Sequence, residues 1–171
     1  MRRLLGYFTM ILFAGAMIAC GDDEEVAGPI NEQQAETKAL SSLSGTEGTV
    51  TSNDVDTTTT NQTFYDVNIT TTEGAKIEFE YFTEDGSLKE IEGDSGPFEY
   101  EVNPGMGLIL FSAAKAIALD SLEAQPGEVL RWALEFDVAL DAWVYTFEVM
   151  DANSEDFSVR IDATSGTVIQ S

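Results

Sequence analysis

The chain of 171 residues carries 31 acidic and 8 basic side chains, no histidine and a single cysteine, for a formal net charge of −23. Such a charge excludes nucleic acid and anionic membrane as electrostatic partners, and favours solvation, bound cations or a basic partner. The missing histidine removes the commonest general base and metal ligand, and one cysteine excludes an internal disulfide.

The chain opens with Arg2 and Arg3 and an uncharged apolar run from Leu4 to Ala19. That run is shorter than the ~20 residues of a bilayer span and reads as a secretory signal peptide, residues 1–19. Cys20 follows a small residue, and the junction Ala16-Met17-Ile18-Ala19-Cys20 resembles a bacterial lipobox, with Met17 where leucine is more usual. The resemblance implies cleavage before Cys20 and a lipid on its sulfur, which makes membrane attachment through Cys20 the first expected partner contact. Residues 20–29 then form an acidic tether containing Asp22-Asp23-Glu24-Glu25. Gly21 in place of an aspartate directs the expectation to the outer membrane, with the folded part in the periplasm or at the cell surface.

Beyond the tether the chain repeats. Residues 35–56 shifted by 79 fall on 114–135, and residues 63–91 shifted by 80 fall on 143–171, neither with a gap. One residue added in the connection between these blocks accounts for the change of offset. Each copy reads as a helix followed by four strands. Asn31 to Gln34 carries an N-cap with a reach-back glutamine, and Ala35, Ala39, Leu40 and Leu43 make an apolar stripe. In the second copy Ser112 is the expected cap and Pro126-Gly127 the expected stop. The strands alternate: Tyr145, Phe147 and Val149 against Thr146 and Glu148, and Phe157, Val159 and Ile161 against Ser158 and Arg160. A period of two with one polar face predicts an antiparallel sheet covered on one side. The predicted fold is α+β, in two tandem units of one helix on a four-stranded antiparallel sheet. Residues 30–96 form the first unit and 108–171 the second, with 97–107 as a joining segment or edge strand. A unit of about 60 residues is marginal alone, so the two are expected to lean on each other.

The second copy resembles a PepSY domain. The residues that carry the likeness are the alanine-rich helix Ser112 to Leu122, Pro126-Gly127-Glu128-Val129, Trp143-Val144-Tyr145 and above all Val159-Arg-Ile-Asp162-Ala-Thr-Ser-Gly166-Thr-Val168. In that ending Asp162 accepts from backbone amides ahead of it, Gly166 supplies a positive φ, and Val168 returns to the core. Gly86 holds the matching turn in the first copy, which agrees in pattern only. The resemblance implies binding or inhibition without catalysis, no cofactor, and a protein partner such as a secreted metallopeptidase restrained in trans. A structural envelope lipoprotein without inhibitory role is the alternative.

Four aromatic residues are the candidate partner contacts. Phe64 and Phe82 fall on the nominally polar strand face, while Trp132 and Trp143 are either core or contact residues. Asp151-Ala-Asn153-Ser-Glu155-Asp156 spaces oxygen ligands alternately but lacks the glycine a calcium loop needs at its sixth place. No nucleophile sits beside a base, so no enzyme activity is expected.

Overall fold

The computed structural model describes residues 28–122, 127–151 and 153–169. The expected signal peptide, Cys20, most of the expected tether and Pro126 lie outside them. The elements run α1 (Glu32–Ser42), β1 (Gly48–Thr57), β2 (Thr63–Thr71), β3 (Lys76–Phe82), β4 (Leu88–Ser95), α2 (Phe111–Asp120), β5 (Glu128–Asp137), β6 (Ala142–Met150), β7 (Asp156–Asp162) and β8 (Val168–Ile169). The fold is α+β.

All eight strands form one antiparallel sheet in sequential order, because β4 pairs directly with β5. Cross-strand register explains where the core sits. Val67, Phe79, Ile91, Leu134, Tyr145 and Ile161 are paired across six neighbouring strands and share one face. Both helices lie on that face, α1 against β1 and β2, α2 against β6 and β7. Each helix presents a pair of fully buried alanines, Ala35 and Ala39 or Ala114 and Ala118, which let its backbone approach the sheet closely.

The middle strands are roofed by the joining segment, which adds no strand to the sheet and makes only an isolated bridge between Val102 and Leu43. Tyr100, Phe111 and Trp132 stack into the core there, with ring centroids 5.1 and 4.4 Å apart. The Trp132 indole N–H donates to the Tyr100 hydroxyl at 2.8 Å. Gly93 on β4 makes room for this pair, since a Cβ there would lie 2.0 Å from the indole nitrogen.

The two halves share a further detail. A bulge interrupts β1 between Val50 and Ser52, and another interrupts β5 between Val129 and Arg131, 79 residues on. Past the following turn the equivalent pairs are Phe64 with Phe82 and Val144 with Asp162, 80 residues apart. The extra residue therefore falls in the β5–β6 hairpin.

Helix capping differs between the halves. Around α1, Asn31 and Gln34 exchange side-chain and backbone hydrogen bonds in a capping box. Around α2 the expected cap does not form: the helix begins at Phe111 and Leu110 has no side-chain bond. Glu101 of the joining segment instead accepts from the Ser112 backbone amide at 3.1 Å and from its hydroxyl. A carboxylate suits the positive end of the helix dipole.

Candidate functional site

The candidate site is the face of the sheet opposite the helices; both helices pack on the other face, and among the described residues no helix lies against this one. Asp54, Asp66, Glu80, Glu90 and Glu135 stand directly opposite one another on five consecutive strands and form a single row of carboxylates. Glu78 and Glu92 are paired in the next row. Like charges directly opposite destabilise a sheet, so this arrangement works against folding.

Two cations lie among them. Lys89 is the extra residue of a bulge in β4, where Glu80 faces Glu90 while Tyr81 faces Leu88. The bulge turns Lys89 onto the open face, where its ammonium binds Glu80, lies 3.4 Å from Glu90 and sits 4.5 Å above the Phe64 ring. Arg131 reaches Glu92 at 3.6 Å and Asp94 at 3.8 Å. These do not balance the row.

The imbalance shows in the acidities. Burial, then the neighbouring charges of Asp66, Glu80, Asp94 and Glu90, push Glu78 up to about 7. Burial and a hydrogen bond with Glu90 push Glu92 to about 7 as well. Asp66 is raised by burial and by Asp54 and Asp56. Glu80 is raised by burial in spite of its bond to Lys89. The carboxylates are spread along the sheet and do not converge: among the described residues no group of three or more stands ready to hold a metal ion.

The four aromatic candidates separate. Phe64 and Phe82 are paired across β2 and β3 on the open face, but Phe64 is only 7% exposed beneath Lys89. Trp132 is 1% exposed in the core and offers a partner nothing. Trp143 is half-buried on the helix side and packs edge-on against Phe136, 5.9 Å away. Phe82 and Trp143 are the two with surface to offer, and both line one shallow cavity of about 590 Å³ at the end of the sheet.

The turn residues serve the backbone. The Asp162 carboxylate accepts from the amides of Thr164 and Ser165 at 3.1 and 2.7 Å, and Gly166 has φ of +72°. These bonds hold Asp162 below the usual carboxylate range. In the first half Asp85 accepts from Ser87, and Gly86 has φ of +69°. Val168 does not return to the core: it is 38% exposed on the two-residue edge strand β8. Asp151 accepts from the amides of Asn153 and Glu155 with one oxygen, both at 2.8 Å, and so holds the turn before β7.

The row of carboxylates is not legible in the sequence, because only the cross-strand register puts the five acids side by side.

No curated protein and no solved structure matches the chain. The family model PepSY, described as "Peptidase propeptide and YPEB domain", matches residues 109–171. The match spans α2 and β5 to β8. The match covers 63 of the 171 residues, so the likeness to PepSY belongs to residues 109–171.

Proposed function

We propose that this protein is a non-catalytic, lipid-anchored component of the bacterial envelope that holds a protein partner on the open face of its sheet and restrains a secreted peptidase in trans. The observation that carries this reading is the row of five carboxylates on the face opposite the helices. A fold retains mutually repelling groups at a cost in stability, and a basic partner surface relieves that cost on binding. The PepSY match supports a peptidase as the partner. The shared bulges and registers of the two halves support residues 30–96 as a second, diverged unit that widens the face. Lipid attachment at Cys20 keeps the molecule at the membrane where secreted enzymes pass.

A photoreactive amino acid placed at Glu135, and separately at the exposed Gln33 of α1, tests the reading in intact cells. The expected result is a peptidase adduct from position 135 and none from position 33. Adducts at position 135 consisting only of envelope assembly components would establish the scaffold role instead.

A further inference from the structure

Four hairpin turns lie at one end of the sheet: residues 58–62, 83–87, 138–141 and 163–167. The pairings of Phe64 with Phe82, Glu90 with Glu135 and Val144 with Asp162 fix them there. The first, second and fourth are built almost entirely of Thr, Ser, Asn, Gln, Asp, Glu and Gly. The third is Val138-Ala139-Leu140-Asp141, with Val138 85% and Leu140 46% exposed. Its base is the cross-strand pair Phe136 and Trp143, where the first half has Thr57 and Thr63. The first half therefore closes the equivalent hairpin with polar residues, and folding does not require apolar ones here. Exposed Met106 of the joining segment lines the same cavity as Phe136, Val138 and Trp143.

The described chain also begins at this end. The Ile30 amide donates to the Thr83 carbonyl at 3.0 Å, the Ile30 side chain abuts Gly86, and Gly28 and Pro29 line a neighbouring cavity with Met106. Cys20 precedes Gly28 by eight residues, a reach of at most ~28 Å at ~3.5 Å per residue. A lipid on Cys20 thus brings this end of the sheet within reach of the bilayer.

We infer that the β5–β6 hairpin tip dips into the headgroup region of a zwitterionic, phosphatidylethanolamine-rich bilayer and acts as a second membrane contact beside the lipid. Trp143 and Phe136 suit the interface, where aromatic rings with one wet edge concentrate. The net charge of −23 selects against anionic lipid. Two contacts fix the orientation of the molecule, with the strands steep to the membrane and the acidic face turned sideways to passing protein. This inference rests on the lipid anchor at Cys20 proposed above.

The test uses the full lipidated chain in vesicles of phosphatidylethanolamine and phosphatidylcholine, with and without brominated acyl chains. Bromine quenches Trp143 only if the hairpin enters the bilayer, while Trp132 stays buried as constant background. The expected result is cosedimentation of wild type and of the double variant Val138→Ser/Leu140→Ser, with quenching at least about twofold weaker in the variant. The variant copies the polar character of the first hairpin, and an unchanged melting temperature shows that it folds. Cosedimentation without quenching of wild type, or equal quenching of both proteins, overturns the hairpin contact and leaves the anchor standing. Failure of wild type to cosediment overturns the anchor and the hairpin contact with it. A dimer of Cys20→Ser protein in lipid-free solution that the double variant returns to monomer assigns the tip to a second copy and also overturns it.

Discussion

Substituting Gly93 by alanine puts a methyl group where the core has none to spare. The added Cβ would lie 2.0 Å from Trp132 Nε1, 2.6 Å from its Cδ1 and 2.7 Å from the Tyr100 hydroxyl. Trp132 is fully buried, 4.4 Å from the Phe111 ring and 6.0 Å from Tyr145, so the indole cannot retreat without moving its neighbours. Overpacking of this kind costs ~1–3 kcal/mol. Loss of the Trp132–Tyr100 hydrogen bond adds ~1 kcal/mol. Reduced freedom of the unfolded chain returns only ~0.4–1 kcal/mol. The net expectation is a destabilisation of ~2–3 kcal/mol, which for a chain of this size lowers the melting temperature by roughly 5–10 °C. Urea unfolding followed by tryptophan emission and by far-UV circular dichroism measures it. Tyr100→Phe, which removes the bond without the clash, should cost less. A Gly93→Ala protein within ~0.5 kcal/mol of wild type would show that the core beside Trp132 has room for a methyl group.

Other predictions concern charge. Glu78 and Glu92 are raised to about 7, so the folded state binds more protons than the unfolded state between their unperturbed value of 4.5 and 7. Their stabilisation is complete below 4.5 and is lost as pH rises through 7. Asp85, Asp137, Asp151 and Asp162 are lowered by turn hydrogen bonds and the Arg160 contact, and their contribution is lost as pH falls below 3.8. Thermal melts across pH 3 to 9 should therefore show maximal stability between about 4 and 5, not at neutrality. Glu78→Gln should stabilise the protein at pH 8 by about 0.5–1 kcal/mol, discounted for partial exposure of the site, and leave pH 4 stability unchanged. Glu101→Ala should cost about 1 kcal/mol in urea unfolding through loss of the α2 cap, whereas Ser112→Ala should cost less.

Much of the architecture is legible in the chain because alternation and turn chemistry are local. The helix stripes, the strand faces and the aspartate-glycine and serine-glycine turns depend on residues a few positions apart. What is not legible depends on distant partners. The β4–β5 pairing sets Glu90 against Glu135, and no rule of cross-strand attraction would choose that match. The role of Gly93 depends on an indole 39 residues away in the sequence. Lys89 reaches the open face only because a bulge breaks the alternation that would otherwise turn it toward the core. Glu101 looks like a solvated acid until α2 arrives beside it. Phe157 follows the core pattern yet is 41% exposed, at the end of β7 that β8 does not pair with. The site suffers most from this limit. The row of carboxylates is a property of register, and register across five strands is invisible in a list of acids.

Titration of enzyme activity decides whether the acidic face restrains a peptidase as proposed. Secreted metallopeptidases from the cells that make this protein would be assayed against increasing amounts of wild type and of a Glu80→Gln/Glu135→Gln variant. Saturable loss of activity is expected for at least one enzyme, weakened in the variant and by added salt. No complex and no loss of activity with any of them would contradict it.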